Sequence, residues 1–230
     1  IGGFAGPLPD MDLYRRSTQM AVFTPIMQWH SEPDGGQFRD LMPGAKGNNE
    51  RSPWNIALAN NRTEFIDEMR YWHNLRKELF PYIYNMALRT VRDDKPMMRP
   101  LIYDFEKDEN VVHMEDEYLF GDNMLVAPLL EENMGTRKVY LPEGRWYDFF
   151  TGRLYEGGKY FLSDEVSKMP VYVKAGTAIP VKKEKQDVIF LYGEKGKDFL
   201  DSANVKIEWE RNEINVKEEW RRKAEWKFIK

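Results

Sequence analysis

Two side chains near the start of the chain, His30 and Phe4, are suited to binding a small polar molecule. Phe4 follows the apolar run Ile1-Gly2-Gly3, and His30 ends an apolar run that starts at Val22. The second run predicts a buried strand, so that His30 would face a loop. A histidine in that place can donate to a ligand oxygen or titrate near neutral pH, and the alternative is a histidine bonded to a backbone carbonyl. Phe4 and Trp29 could offer flat apolar faces to a sugar ring, although such aromatics more often fill a core.

Carboxylates close to these runs suggest a second chemistry, hydrolysis of a glycosidic bond. That reaction needs one acid and one nucleophile or base on either side of the bond. The candidates are Asp10, Asp12, Glu32, Asp34 and Asp40. Simpler roles are favoured, since Asp10 and Asp12 suit a helix cap and Glu32 and Asp34 suit a turn. We interpret the acidic run 115–117 as a solvated face, because a hard cation needs more oxygen ligands.

The composition excludes several other classes of function. The 230 residues contain no Cys, and the three His have no short metal-ligand spacing, so we expect neither a metal nor a disulfide framework. A net charge of −4 without a basic block argues against nucleic acid as a partner. Apolar runs are too short for a membrane span and no export leader is visible, so we expect no membrane partner and a cytoplasmic location. Phosphate-loop and dinucleotide patterns are missing, and no cofactor is expected.

A helix before the Val22 run would help to position both side chains. Asp10 or Asp12 can cap it, and its buried face would carry Leu13, Met20 and the stem of Arg16.

A second and longer helix is predicted from Asn61 to about Arg92. Asn61 and Glu64 form a capping-box pattern, apolar residues follow at steps of three and four, and Pro81 should kink the axis. The polar stretch from Gly35 to Trp54 is too long for an ordinary connection and is predicted to be a functional loop. Strand, loop and helix repeated twice is the unit of an α/β barrel, whose reactive face lies at the C-terminal ends of its strands.

Beyond residue 95, turn signals come every several residues, which predicts antiparallel β-sandwich structure. The predicted strands span residues 97–105, 118–129, 138–141, 146–150, 171–173, 178–181, 188–192, 205–209 and 214–216. Residues 216–230 are compatible with a helix through Trp220 or with a strand through Trp226 and Phe228.

Eight short segments follow one another between residues 1 and 181. They are Ile1-Gly2-Gly3-Phe4, Phe23-Thr24-Pro25-Ile26-Met27-Gln28-Trp29-His30, Leu79-Phe80-Pro81-Tyr82-Ile83-Tyr84, Met98-Arg99-Pro100-Leu101, Glu115-Asp116-Glu117-Tyr118-Leu119-Phe120-Gly121, Ala127-Pro128, Tyr140-Leu141-Pro142-Glu143-Gly144-Arg145-Trp146 and Pro170-Val171-Tyr172-Val173-Lys174-Ala175-Gly176. In this order and spacing they resemble the C-terminal portion of glycoside hydrolase family 31, the α-glucosidase and α-xylosidase group. The stretch with Leu191-Tyr192-Gly193-Glu194 is similar to the distal β domain of archaeal members.

This resemblance implies a fold of α/β plus all-β class. Residues 1–95 would be the C-terminal part of a (β/α)8 TIM barrel, residues 96–182 a proximal β-sandwich domain and residues 183–230 a short distal β domain. It also implies a retaining mechanism with two aspartates, both expected upstream of Ile1. His30 would correspond to the substrate-binding histidine of the last barrel strand, and Phe4 would follow the penultimate strand. The chain departs from the family pattern at Ser17, where Trp is usual, and at Gln28, where Arg is common.

The implied function is that of the C-terminal part of an α-glycosidase acting on terminal α-linked glucosides. Its partners would be an α-glucoside or oligosaccharide substrate and the missing N-terminal barrel segment, without which we expect no activity. Two alternatives are an α-xylosidase, and a non-catalytic fragment or carbohydrate-binding scaffold that retains the β domains. Association of copies into a homo-oligomer is left open.

Overall fold

The computed structural model describes residues 1–4, 8–30, 51–163, 167–184 and 186–230. These residues form two compact units, one of residues 1–76 with 129–134 and one of residues 77–128 with 135–230. No helix within the described ranges has the length and apolar character needed to cross a membrane. Most of the predicted loop from Gly35 to Trp54, together with Glu32, Asp34 and Asp40, lies outside them. The domain boundaries at residues 95 and 182 stay predictions.

The first unit contains the helices α1 (Met11–Val22), α2 (Pro53–Ala59) and most of α3 (Phe65–Glu78). Asp10 caps α1, because its carboxylate accepts from the Leu13 nitrogen at 2.7 Å. Asp12 instead pairs with Arg16 one turn later, at 2.8 Å. Of the two predicted caps, only Asp10 therefore acts as one.

The predicted buried face of α1 was wrong for Leu13, whereas the Arg16 side chain is only 10% exposed and Met20 is half-buried. Leu13 is 44% exposed, and the buried positions are Tyr14, Thr18, Gln19 and Val22. Tyr14 directs this choice, since its hydroxyl donates to the Arg51 carbonyl at 2.5 Å. Positions 14, 18 and 22 share one helix face, and that face is the one covered.

The predicted strand from Val22 to His30 was also wrong. Val22 ends α1, residues 23–30 belong to no helix or strand, and Ile26 is 74% exposed. A strand requires a ladder of backbone bonds to a neighbour. Within the described ranges, this run receives one backbone bond from a distant residue, from the Ile1 nitrogen to the Gln28 carbonyl at 2.8 Å.

The predicted long helix is two helices, α3 and α4 (Phe80–Asp93), with Leu79 between them. Pro81 lies in the first turn of α4, where its missing N–H would have no helical acceptor in any case. A proline there starts a helix and does not kink one. Asn61 has a positive φ of 52° and lies in a turn, so the capping box is not formed and α3 begins at Phe65.

In the described residues, the second unit combines α4 with fourteen short strands and a six-residue helix, α5 (Glu218–Lys223). The strands are β1 (Met98–Pro100), β2 (Tyr118–Phe120), β3 (Met124–Val126), β4 (Arg137–Leu141), β5 (Arg145–Asp148), β6 (Leu154–Glu156), β7 (Lys159–Ser163), β8 (Val171–Lys174), β9 (Ala178–Lys183), β10 (Gln186–Tyr192), β11 (Lys195–Leu200), β12 (Val205–Glu210), β13 (Glu213–Asn215) and β14 (Ala224–Ile229). They form sheets in the orders β1-β2-β3-β8-β5-β6, β4-β7, β14-β10-β9 and β11-β12-β13.

The antiparallel β-sandwich class predicted for this region is confirmed, with one parallel pair, β10 with β14. The run 118–129 is a hairpin of β2 and β3 that turns at Gly121, where φ is +66°. Strands β6, β7 and β11 were not predicted. Both the helix and the strand considered for residues 216–230 are present, since α5 carries Trp220 and β14 carries Trp226 and Phe228.

A charged cluster ties α4 to the distal strands within the second unit. Arg89 donates to Asp198 and Asp201, each at 2.7 Å, and to Asp122 at 3.2 Å. The Asp198 and Asp201 side chains are 8% and 6% exposed.

Candidate functional site

The structure brings His30 and Phe4 together. Their ring centroids lie 4.9 Å apart and the planes meet at 61°, an edge-to-face contact. His30 is exposed and Phe4 is partly buried. Among the described residues, no carbonyl accepts from the His30 ring. An exposed imidazole against an apolar ring can donate to hydroxyl groups of a bound molecule.

Phe4 is positioned by contacts of Gly2 with α1 and with the residue Arg51, which precedes α2. The Gly2 nitrogen donates to the Ser17 hydroxyl at 3.1 Å, and Arg51 donates to the Gly2 carbonyl at 2.7 Å. Gly2 has a φ of +70°, and a Cβ on it would lie 2.9 Å from the Tyr14 ring. Only glycine fits there without strain. Ser17, a departure from the family pattern, therefore supplies an acceptor for this turn.

His30 is positioned by the chain that leads to it from α1. Arg76 of α3 donates to the carbonyls of Val22 at 2.8 Å and Pro25 at 2.9 Å. The Thr24 hydroxyl is 2.9 Å from the Ile26 carbonyl. Gln28, the other departure from the family pattern, takes part through its backbone carbonyl, and its side chain is exposed.

Trp29 has different neighbours from His30. Its ring centroid lies 5.7 Å from that of Trp54 on α2 and 5.0 Å from that of His73 on α3. The His73 Nδ1 lies 2.7 Å from the Met69 carbonyl, which fixes the orientation of that ring. Trp29 thus contacts rings of α2 and α3, and it is 38% exposed.

The carboxylates described in residues 1–76 all have structural partners. Asp10 caps α1, and Asp12 pairs with Arg16. On and before α3, the pairs are Glu64 with Arg62, Asp67 with Arg70, and Glu68 with Arg15. None of these groups lies as an unengaged acid beside His30 in the described part of the chain, so the cap role predicted for Asp10 is the one the structure favours, while Asp12 forms an ion pair instead of a cap.

The acidic run 115–117 is only partly solvated. Glu115 is exposed, whereas Glu117 is 4% exposed, so the prediction was wrong for Glu117. One Glu117 oxygen accepts from the Tyr140 nitrogen at 2.8 Å, and Asp116 pairs with Arg137 at 2.8 Å. Burial raises the pKa of Glu117 to about 8. Glu117 directly precedes β2, and its bond to the Tyr140 nitrogen joins this residue to β4.

Arg51 and Arg76 are the residues of this site that sequence reasoning missed. Arg51 acts on Gly2 from 49 positions away, and Arg76 acts on Val22 from 54 positions away. No local pattern marks such contacts, because each joins residues that are far apart in the sequence.

Comparison with known proteins fits this architecture. The profile of the glycosyl hydrolases family 31 TIM-barrel domain matches residues 1–86, and that of the glycosyl hydrolase family 31 C-terminal domain matches residues 94–179. The chain belongs to glycoside hydrolase family 31.

Similar family 31 members include bacterial and archaeal proteins. An isomaltosyltransferase of Sporosarcina globispora is 35% identical over 81% of this chain and 16% of its own length. An α-glucosidase of Saccharolobus solfataricus is 30% identical over 95% of this chain and 29% of its own length. In structure, a cycloalternan-forming enzyme from Listeria monocytogenes, solved with a pentasaccharide substrate, matches with a TM-score of 0.79 and 31% identity over 90% of this chain and 21% of that one. The chain therefore spans less than a third of each of these relatives.

Proposed function

We propose that this chain is the C-terminal part of a retaining α-glycosidase acting on terminal α-linked glucosides. The observation that carries the proposal is the exposed His30 against Phe4, in the segment matched by the family's barrel profile. In this role His30 binds and does not attack. It donates to hydroxyls of the sugar, and such a bond contributes about 1–3 kcal/mol if it tightens as the ring distorts.

The two reacting carboxylates belong to sequence upstream of Ile1 in this proposal. The described carboxylates of residues 1–76 are engaged as caps or ion pairs, which supports that assignment. The β domains carry no catalytic role. An α-xylosidase is retained as an alternative substrate class, since an α-xylosidase of Saccharolobus solfataricus is also similar over most of the chain, at 28% identity.

Transfer of a sugar to another sugar is a second candidate reaction. The isomaltosyltransferase and the cycloalternan-forming enzyme named above are both similar to this chain. Chromatography of products formed from maltose by the complete protein separates the two reactions. Glucose alone indicates hydrolysis, and longer oligosaccharides indicate transfer.

The experiment that tests the role of His30 is His30→Ala in the complete protein that carries this chain. We expect kcat/KM for p-nitrophenyl α-glucoside to fall at least about tenfold, because a hydrogen bond that strengthens in the transition state is lost. His73→Ala, which removes an imidazole that contacts Trp29 instead of Phe4, is the matched control. Unchanged kinetics for His30→Ala would show that this imidazole does not bind the sugar.

A further inference from the structure

The chain that leaves α1 toward His30 is held by the side chain of Arg76. One terminal nitrogen of this guanidinium donates to the carbonyls of Val22 at 2.8 Å and Thr24 at 2.5 Å. The other donates to the Pro25 carbonyl at 2.9 Å. Three carbonyls within four residues therefore converge on one cation from α3, and they lie between the last turn of α1 and the segment that carries His30.

An arginine is chemically suited to this position. Its planar guanidinium presents several N–H donors in a fixed fork, so it can fix the relative orientation of several acceptors. The carbonyls at the end of a helix lack helical donors and carry partial negative charge, which a cation there stabilises. A lysine in the same place would supply a compact charge without the fork. The contact therefore sets the direction in which the chain leaves α1.

Two further contacts link residues 22–25 to the segment that carries the His30 imidazole. The Thr24 hydroxyl lies 2.9 Å from both the Ala21 and the Ile26 carbonyls, so it ties the turn to the next residues. The Ile1 nitrogen then donates to the Gln28 carbonyl, two residues before His30. Because these contacts link residues 22–25 to the segment that carries His30, we expect a rotation there to displace the His30 ring relative to Phe4.

We propose that Arg76 is a positioning residue for His30, holding the imidazole where it can donate hydrogen bonds to the sugar. Arg76 bonds only backbone carbonyls in the described part of the chain, and it acts through the segment it holds. This inference rests on the proposed function of His30. An arginine with a purely stabilising role would make the same contacts, so the test must separate stability from position.

A double-mutant cycle in the complete protein makes that separation. Arg76→Lys keeps the charge and removes the fork, and it is measured in the native background and in the His30→Ala background. We expect Arg76→Lys to lower kcat/KM about fivefold or more in the native background, mainly through kcat, and less than about twofold when His30 is absent. Arg70→Lys, on the solvent side of the same helix and paired with Asp67, is the matched control and should change neither value.

The outcomes discriminate between the two proposals. If His30→Ala leaves kcat/KM unchanged, the proposed role of His30 fails, and this inference fails with it. If His30→Ala lowers kcat/KM and Arg76→Lys lowers it equally in both backgrounds, or does not change it in either, Arg76 does not position His30. If Arg76→Lys does not fold, Thr24→Val is used instead, because it removes the hydroxyl that bonds the Ala21 and Ile26 carbonyls. This variant should also lower kcat/KM more in the native background than in the His30→Ala background. Equal losses in both backgrounds for Thr24→Val would overturn the inference.

Discussion

Glu117 is a carboxyl placed where its charged form is disfavoured. It is 4% exposed, one oxygen accepts from the Tyr140 nitrogen, and within the described residues the other oxygen is buried without a hydrogen-bond partner. The nearby Arg137 is already bonded to Asp116 and to backbone carbonyls. Burial therefore outweighs the attraction of Arg137 and raises the pKa of Glu117 to about 8, from 4.5.

The raised pKa makes the stability of the sandwich depend on pH. Below pH 4.5 both folded and unfolded chains carry the proton, and the contribution to stability is fully present. Between pH 4.5 and pH 8 only the folded chain retains the Glu117 proton, so the free energy of unfolding falls as pH rises. Above pH 8 both states have lost the proton, and the free energy of unfolding no longer changes through this group. We expect Glu117→Gln, which stays neutral and can still accept from Tyr140, to lose this slope and to be more stable than the parent at pH 8, by on the order of 3 kcal/mol.

Urea unfolding of the purified chain at several pH values between 4.5 and 9 measures this effect. Glu115→Gln is the matched control, because Glu115 lies two residues away and is exposed. It should keep the slope of the parent. A Glu117→Gln variant with the parent's pH dependence would show that Glu117 is ionised in the folded chain.

At the scale of elements, the hairpin of β2 and β3 depends on a glycine that contacts α4. Gly121 has a φ of +66°, and a Cβ there would lie 2.6 Å from the Met86 sulfur and closer to the Tyr82 hydroxyl. That hydroxyl donates to the Phe120 carbonyl at 2.6 Å, so it has little freedom to move. We expect Gly121→Ala to lower the free energy of unfolding by about 3 kcal/mol, through backbone strain and overpacking together.

The control for this hairpin is Gly158→Ala, measured by the same urea titration. Gly158 has a similar φ of +76°, but a Cβ on it would meet no atom within 4 Å. We expect Gly158→Ala to lower the free energy of unfolding by the backbone strain alone, about 1 kcal/mol. Equal losses at the two positions would mean that contact with α4 does not constrain the turn.

Local sequence signals predicted an element correctly where its tertiary contacts favour the same structure. Asp10 caps α1 as its position before a helical run indicates, and the alternation of residues 205–209 gives β12. Proline at position 81 marked a change in the helix, although its place in a first turn makes it a helix start. The spacing in this region is also compatible with two helices, since a proline in the first turn of a helix costs little.

Other features depend on contacts that no local pattern encodes. The run 22–30 is as apolar as a strand, but its conformation depends on which backbone groups lie beside it. The buried face of α1 follows from the bond between Tyr14 and Arg51, 37 positions apart. Glu117 lies in an acidic run yet is buried, and it accepts from the Tyr140 nitrogen of β4. For the site, His30 and Phe4 were predicted from type and position, whereas Arg76 could be recognised only from its contacts.

For the whole molecule, the proposed function predicts that catalysis needs more than this chain. Glycoside cleavage requires two carboxylates placed on either side of one bond. The carboxylates described in residues 1–76 cap a helix or pair with an arginine instead. The family's C-terminal domain profile matches residues that follow those matched by the TIM-barrel profile. The chain also spans only 16% to 29% of the relatives compared above.

We therefore expect the purified chain of residues 1–230 to release no p-nitrophenol from p-nitrophenyl α-glucoside, while the complete protein releases it under the same conditions. A hydrogen-bonding imidazole without the reacting acids can bind a sugar but cannot form or hydrolyse a glycosyl intermediate. The same chain with His30→Ala, purified in parallel, identifies any activity that comes from a contaminant, because contaminant activity would be equal in both preparations. Turnover by the chain that is lost with His30 would mean that a catalytic pair lies within these residues, and that the acids were wrongly assigned to sequence upstream of Ile1.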